Sequence, residues 1–391
     1  MPHMVELVDD LGRLEDIGPQ WAELHAAAGG GPFSSAEWLA AWAAAYGDQG
    51  AAPCIGLAWS GGRLLAGMPL GLRRGRVSTR GPRVGKLVML CEERAGFHEI
   101  LALPGPEGQA AVAALLEGCL ARGGWELADL NPVLGSAALD GLAARAQAQG
   151  LAVWRREEIR RAVCDLSAGW QGYLARRSGN FRKSIRVARK RVEAEGGALR
   201  ILRGGEPDAD AVLERALAVS ARCWKARMGT DIGSNPRVRA FMTEIWTRFS
   251  ARKAARILLL SIGGRDAASC FLLRSGNREY GFITDFDEDF AALSPGRVIV
   301  SHALETAAAD GIAVFDMMRL TPFWERFADE IQSFERLRLC RRFGLAWLWL
   351  SVEERARPLG RELRKRYRRR SHTRIAVMDR SSERERSDED A

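Results

Sequence analysis

Two carboxylates in the second half of the sequence, Asp285 and Asp316, have the chemistry to accept a proton. Asp285 ends the predicted strand REYGFITDF, and Tyr280 lies near the start of the same segment. Asp316 lies inside the apolar segment IAVFDMMRL, where a carboxylate without a partner would be costly to bury. Because a positioned carboxylate can accept a proton, Asp285 is the first candidate for a general base and Asp316 is the second.

Each aspartate also has a plainer interpretation of about equal weight. Asp285 could cap a turn at the end of its strand. Asp316 could form a structural ion pair with Arg319, three residues further on. His302 is expected to be a packed or surface histidine. The sequence shows no Ser-His-Asp spacing and no cluster of metal ligands, so we expect no metal.

The segment LSPGRV is a Pro-Gly turn before a helix that is predicted from about Val298. Free backbone N–H groups and the helix dipole favour a phosphate at such a position. Gly296 permits close approach, and Arg297 adds a positive charge. Taken alone, the segment favours a plain Pro-Gly turn over a phosphate site. The candidate binding residues are Ser294, Pro295, Gly296, Arg297 and Val298.

A densely basic segment, RRSGNFRKSIRVARKRVEAEGG (176–197), predicts an amphipathic helix. Phe181, Ile185, Ala188 and Val192 form one apolar stripe at helical spacing. The remaining surface carries Arg182, Lys183, Arg186, Arg189, Lys190 and Arg191. This surface is either simply solvated or an anion site for phosphates, a tRNA backbone or a membrane. It lacks the interleaved aromatic residues that would stack on bases.

The elements around these residues predict a duplicated α/β fold. In each half, a Gly-Gly hairpin precedes a strand, a Pro-Gly turn, a helix and a strand with a central aspartate, Asp129 or Asp316. We expect a first domain over residues 1–160 and a second over residues 161–355. Residues 356–391 form a basic tail whose composition predicts disorder.

The composition sets limits on partners and location. The chain has 391 residues, a net charge of +9 and a pI near 9.5, which favours anionic partners. Seven dispersed cysteines without CxxC spacing indicate a reducing compartment. The N-terminus does not resemble a signal peptide, and LAWLWL is too short to span a bilayer. We expect a cytoplasmic protein, with the inner face of a membrane as an alternative.

Four segments, in this order, resemble the CelD-like acetyltransferases over most of residues 20 to 350. They are PFSSAEWLAAWAAAYG, WQGYLARRSGNFRKSIRVARKRVEAEGG, YGFITDFDEDFAALSPGRVIVSHALETAAADGI and VFDMMRLTPFWERFADE. This GNAT-related family has two GNAT-like domains in one chain, each a mixed sheet flanked by helices. It is related in fold to the FemAB aminoacyl transferases.

The resemblance implies acetyl-CoA or another acyl-CoA as donor, with its pyrophosphate on the LSPGR segment. It also implies direct transfer without a covalent intermediate, with Tyr280 protonating the leaving thiolate. Family members often carry an aromatic residue followed by Lys where this chain has Phe323 and Trp324, which leaves activity or substrate class open. Arg326 is a neighbouring replacement for that charge. Arg319, Trp324 and Arg326 are the acceptor-side candidates.

Three functions remain open from the sequence. The first is an acyl-CoA-dependent N- or O-acyltransferase for a small-molecule or envelope polysaccharide acceptor that lies between the domains. The second is a FemAB-like transferase that takes an aminoacyl group from tRNA. The third is a non-catalytic accessory protein of polysaccharide synthesis with peripheral membrane contact.

Overall fold

The computed structural model describes residues 3–47, 50–91, 95–206, 208–229 and 231–356. The strands of the first half are β1 (Met4–Val8), β2 (Ala52–Pro53), β3 (Ile55–Ser60), β4 (Arg63–Met68), β5 (Leu70–Arg76), β6 (Arg83–Met89), β7 (Leu101–Ala102) and β8 (Leu127–Leu134). Its helices are α1 (Gly12–Asp16), α2 (Gly18–Ala27), α3 (Ala36–Tyr46), α4 (Pro106–Arg122) and α5 (Ala137–Ala148).

The strands of the second half are β9 (Ala152–Asp165), β10 (Ala198–Arg203), β11 (Ala255–Ile262), β12 (Arg265–Ser275), β13 (Arg278–Phe286), β14 (Val314–Asp316) and β15 (Glu330–Cys340). Its helices are α6 (Gly169–Ala175), α7 (Gly179–Ala194), α8 (Ala209–Ser220), α9 (Pro236–Ala251), α10 (Pro295–Ala309), α11 (Pro322–Glu325) and α12 (345–356). Short 3-10 helices cover Pro32–Ser34, Ala226–Met228 and Glu288–Leu293.

The strands form one sheet of 11 strands and one of four, which confirms the predicted mixed α/β class. The large sheet has the order β10-β11-β12-β13-β14-β9-β15-β8-β6-β5-β2, and the small sheet has the order β1-β3-β4-β7. β15 comes from the end of the described chain, yet it pairs antiparallel with both β8 and β9. One continuous sheet therefore joins the two halves.

The predicted boundary between residues 160 and 161 falls inside β9. This strand pairs with β15 along most of its length and with β14 through Val163, Cys164 and Asp165. The division into 1–160 and 161–355 stays a proposal, with β9 belonging to both halves. The predicted disordered tail, apart from Ala356, lies outside the described residues.

The predicted repeat has a structural counterpart in two parallel strand pairs. β6 pairs with β8 from Lys86 to Val88, and the last pair is Val88 with Asp129. β13 pairs with β14 from Arg278 to Tyr280, and the last pair is Tyr280 with Asp316. Helix α4 precedes β8, and helix α10 precedes β14 in the same way. Each half therefore has a short parallel ladder that ends at a buried aspartate.

Aromatic residues pack the two halves against each other. The Trp38 ring on α3 lies 5.1 Å from the Phe241 ring on α9 and 5.3 Å from the Phe282 ring on β13. All seven cysteines lie in described segments and are buried, and none forms a disulfide. Among the described residues, no helix combines the length and the apolar character needed to cross a membrane.

Candidate functional site

β13 separates from β14 directly after Tyr280, and a bulge marks the place. Opposite β12, Gly281 pairs with Leu272 and Ile283 pairs with Phe271, so Phe282 is an extra residue in the ladder. Such a bulge bends a strand and increases its twist. A Cβ on Gly281 would lie 3.2 Å from the Phe315 ring of β14, so glycine suits the point of separation. From Gly281 to Phe286, β13 therefore continues without a paired strand on its β14 side among the described residues.

The first turn of α10 follows β13 after a short 3-10 helix. The helix begins at Pro295, three residues earlier than predicted, because proline is favourable at the first helical position. Ser294 is the N-cap with a positive φ of 56°, and its side chain makes no capping hydrogen bond. A Cβ on Gly296 would lie 3.3 Å from the Phe286 ring, so glycine keeps this turn close to the end of β13. Arg297 is half-buried and Val298 is buried.

Three carboxylates precede this turn, and arginines neutralise them. Asp287 binds Arg222 and Arg265 at 2.7 Å each, Arg265 also binds Asp289, and Glu288 binds Arg227. Burial alone would raise the pKa of Asp287, but hydrogen bonds from Arg222 and Arg265 outweigh it and hold the pKa below its ordinary value. This pairing reduces the repulsion that these acids would exert on a phosphate at the start of α10.

Asp285 is buried within the strand, and both of its oxygens are bound. Its Oδ2 accepts a hydrogen bond from Ser220 at 2.6 Å, and its Oδ1 lies 2.5 Å from Lys225 Nζ. The turn-capping role falls instead to Asp287, whose side chain accepts from the N–H of Asp289. Asp285 would have to give up its lysine partner to act as a general base.

Asp316 is fully buried and is bound by two arginines. Its Oδ2 accepts from Arg161 and, at 3.4 Å, from Arg278, and its Oδ1 accepts from the N–H of Met318 at 2.8 Å. The predicted pairing with Arg319 is wrong, since Arg319 is exposed and the partners come from β9 and β13. Burial raises the pKa of Asp316, and the charges of Arg161 and Arg278 oppose that rise.

Tyr280 faces the first half of the chain beside a second buried carboxylate. Burial is the main cause that raises the pKa of Tyr280, with the charge of Glu99 next, so the phenol keeps its proton at neutral pH. Glu99 Oε2 accepts from the Gly31 N–H at 2.7 Å and from Ser34 Oγ at 2.6 Å. Burial also raises the pKa of Glu99.

Glu99, Arg161 and Arg278 also belong to this region and were not predicted from the sequence. Glu99 had a detectable signal, since it is an acid inside the apolar segment HEILALP. Arg161 had none, because it lies on a strand whose pairing depends on residues far along the chain. Its guanidinium is held by Gln332 and lies 4.8 Å from the Phe334 ring centroid, so its position is fixed by packing.

A cleft of about 610 Å³ lies between the two halves and reaches Tyr280. The first half contributes His25, Gly30 and Ser35 to its lining. The second half contributes Arg252, Lys253, Arg274 and Arg278. Because Tyr280 is also the last paired residue of β13, the cleft ends where β13 leaves β14.

None of the three acceptor-side candidates is among the described residues that line this cleft. Trp324 is half-buried in α11, with its ring 4.7 Å from Phe323 and 6.1 Å from Phe327. Arg326 follows α11 and is exposed, as is Arg319. The structure therefore does not bring these three together with Tyr280 in the cleft.

Helix α7 supports α10 through its predicted apolar stripe. Ile185, Ala188 and Val192 are buried, as the spacing predicts. Arg189 contacts α10 and does not belong to the solvent-exposed face of α7. It donates to Ser301 Oγ at 2.9 Å and forms an ion pair with Glu305 at 2.8 Å. Burial and the Arg189 charge lower the pKa of His302 to about 4.

A comparison with protein families matches residues 179–328 to a family described as an acetyltransferase (GNAT) domain. The matched segment contains α7, the whole of β13, the first turn of α10 and β14. Residues 179–328, in the second half of the chain, are therefore similar to a GNAT acetyltransferase domain. A comparison with curated proteins finds no match.

Solved structures with a similar fold cover nearly the whole chain. One is titled FemX, with a TM-score of 0.57 and 10% identity over 86% of this chain and 97% of that one. Another is the C-terminal domain (DUF2156) of a protein described as a lysylphosphatidylglycerol synthetase from Agrobacterium fabrum. It has a TM-score of 0.55 and 11% identity over 88% of this chain and 97% of that one. At these identities the likeness shows a shared fold alone.

Proposed function

We propose that this protein transfers an acyl group from acyl-CoA directly to an acceptor nitrogen or oxygen. The observation that carries the proposal is the separation of β13 from β14 after Tyr280, with the first turn of α10 at the far end of β13. An extended pantetheine arm fits along a strand edge of this kind. The pyrophosphate then lies at the helix start, where the helix dipole, the Gly296 N–H and the Arg297 charge favour it, since Pro295 has no N–H and the N–H groups of Arg297 and Val298 donate to Ser294 O. Acetyl-CoA or another acyl-CoA is the donor, and no metal takes part.

The chemistry at the point of separation uses groups that Tyr280 and Asp316 supply. The acceptor loses a proton, its lone pair attacks the thioester carbonyl, the C–S bond breaks and the thiolate takes a proton. Tyr280 carries a proton at neutral pH and suits the last step. Asp316 lies opposite it in the ladder and is assigned the first step, directly or through water, for which it would have to give up the Arg278 contact at 3.4 Å. Asp285 is held by Lys225 and fits a positioning role in β13.

The cleft between the halves suits an acceptor with negative charge. Arg274 and Arg278 line it beside Tyr280, and Arg252 and Lys253 line it further out. A small molecule or an envelope saccharide that carries a carboxylate or phosphate group matches this lining. Arg319, Trp324 and Arg326 could contact a longer acceptor outside the cleft.

The second candidate function is a FemAB-like aminoacyl transfer from tRNA. The similarity to FemX favours it, as do the cations on the outer face of α7. Arg182, Lys183, Arg186 and Lys190 are all exposed on that face. Phosphate contacts of this kind make binding fall steeply with salt, so charged tRNA should bind at 50 mM salt and be lost at 300 mM.

Calorimetric titration with acetyl-CoA and with a longer acyl-CoA tests the proposal. We expect micromolar binding to the wild-type protein and at least about a tenfold loss in Arg297→Glu, since a repulsive charge replaces an attractive one. Arg186→Glu is the matched control, because it makes the same charge change on the outer face of α7. Failure of the wild-type protein to bind either thioester would contradict the proposal and make charged tRNA the next donor to test.

A further inference from the structure

Helix α12 carries an apolar face that points away from the rest of the protein. On the helix Leu345 is 56% exposed, Leu348 52% and Val352 65%, and Phe343, two residues before the helix, is 79% exposed. Only four other large hydrophobic side chains in the described part of the chain are exposed, and they are scattered: Met4, Trp224, Met228 and Ile331. Single exposed apolar residues are ordinary, whereas a cluster marks a contact surface.

The exposed residues form one stripe on the helix. Leu345, Leu348 and Val352 are spaced three and four residues apart, which places them on one side at 100° per residue. Ala346 and Leu350, on the other side, are buried in a small core with Val77 and Val84. The inner side of α12 therefore anchors the helix, and its outer side is presented in a fixed orientation.

The charges around this outer face are positive. Arg341 and Arg342 are exposed just before the helix, and Arg355 is exposed three residues after Val352 on the same side. Glu353 and Glu354 are half-buried and fall with Leu350 on the inner side of the helix. In the sequence, residues 357–370 add eight Lys or Arg residues and one Glu.

We propose that the outer face of α12 docks this protein on an anionic membrane surface. Leu345, Leu348, Val352 and Phe343 enter the boundary between headgroups and acyl chains. Arg341, Arg342 and Arg355 contact the lipid phosphates. An amphipathic helix that combines an apolar face with flanking cations binds in this way, through buried apolar area and attraction to anionic lipids.

A second copy of the chain fits this face less well than a membrane does. A twofold interface brings the same patch of both copies together. Arg341, Arg342 and Arg355 would then face their own copies, and like charges across an interface oppose association. The surface charge of an anionic bilayer attracts the same three arginines.

Co-sedimentation of the full chain with lipid vesicles tests this proposal. Vesicles of phosphatidylglycerol and phosphatidylcholine should bind the protein at least about tenfold more tightly than phosphatidylcholine alone. The triple variant Leu345→Ser, Leu348→Ser, Val352→Ser should lose at least about tenfold in affinity for the anionic vesicles. Arg341→Glu with Arg342→Glu should lose about as much, and more at low salt.

The matched control is Met228→Ser, which removes another exposed hydrophobic side chain, 67% exposed and away from α12. Its vesicle affinity should equal that of the wild-type protein, and all variants should keep the wild-type unfolding midpoint. Equal binding to neutral and anionic vesicles would overturn the proposal, as would wild-type affinity in the triple variant. A concentration-dependent dimer in light scattering that the triple variant abolishes, without vesicle binding, would assign the face to a second copy instead.

Discussion

Tyr280 and Asp316 form the last residue pair of the parallel ladder between β13 and β14, and the strands separate directly beyond them. One is a phenol that keeps its proton, and the other is a buried carboxylate held by Arg161 and Arg278. In the first half, Val88 and Asp129 form the equivalent last pair of β6 and β8. Beyond that pair the edge of β8 is occupied, because His98 pairs with Val133. The His98 N–H donates to Pro132 O at 2.8 Å.

Asp316→Asn tests whether the Asp316 carboxylate takes part in catalysis or only stabilises the fold. Removing the charge leaves Arg161 buried without its carboxylate, which should cost about 3–5 kcal/mol in the free energy of unfolding. We expect kcat/KM to fall by about 10²-fold or more if the carboxylate takes part in proton transfer. Urea unfolding and steady-state kinetics measure the two effects.

Asp129→Asn is the matched control for that variant. Asp129 binds Lys86 at 2.6 Å and Arg336 at 2.7 Å, so its loss should be similarly destabilising. Because His98 pairs with β8 at Val133, beyond Asp129, kcat/KM per folded molecule should stay at the wild-type value. Equal losses of activity in both variants would assign Asp316 a purely structural role.

The Asp285–Lys225 pair should contribute to stability as a unit. Asp285→Ala leaves Ser220 and Lys225 without this acceptor and should cost about 3 kcal/mol. Lys225→Met should cost less, because the lysine side chain is 31% exposed. In a double-mutant cycle we expect a coupling free energy of about 1–2 kcal/mol. Additive losses in urea unfolding would show that the ion pair does not couple the two residues.

Gly296→Val should weaken donor binding more than it slows turnover. A side chain at this position starts 3.3 Å from the Phe286 ring and fills the space beside the first helical turn. We expect KM for acyl-CoA to rise by about tenfold or more while kcat changes little. Gly141→Ala is the control, because nothing lies within 4 Å of its Cβ position in α5. That variant should gain about 0.5–1 kcal/mol in stability and keep the wild-type KM.

Stability should fall in mild acid because His98 is buried without charge. Burial lowers its pKa from 6.5 to about 3 in the folded protein. The unfolded chain therefore binds one more proton between these values, and the free energy of unfolding falls as pH drops below 6.5. The slope is at most about 1.4 kcal/mol per pH unit from this group. His98→Leu should flatten the dependence between pH 6 and pH 4, and an unchanged slope in urea titrations would contradict this assignment.

Local features of the fold were predictable, and distant pairings were not. The stripe of Ile185, Ala188 and Val192 depends only on helical spacing, and it is buried as predicted. The start of α10 was placed too late because Pro295 suggested a turn, although proline also suits a first helical turn. Arg161 lies 155 positions from Asp316, so only the folded sheet reveals that they pair.

Strand β15 was not predicted from the sequence, for a similar reason. Its sequence, EIQSFERLRLC, mixes charged and apolar residues without a clear alternation. Its burial becomes clear only when β8 and β9 lie on either side. The cleft was expected between the halves, but its arginines come from a helix end and a hairpin that sequence spacing does not connect.

The position of β15 also limits how this chain can be divided. A protein cut before residue 330 would leave β8 and β9 with exposed edges, and unpaired edges invite aggregation. A fragment that begins at residue 161 would lack most of β9, the strand that connects β14 to β15. Neither half can be exchanged between related proteins as a cassette unless the exchange carries β9 and β15 together. Recombination that keeps β9 and β15 together would preserve function, and recombination at the midpoint of the sequence would destroy it.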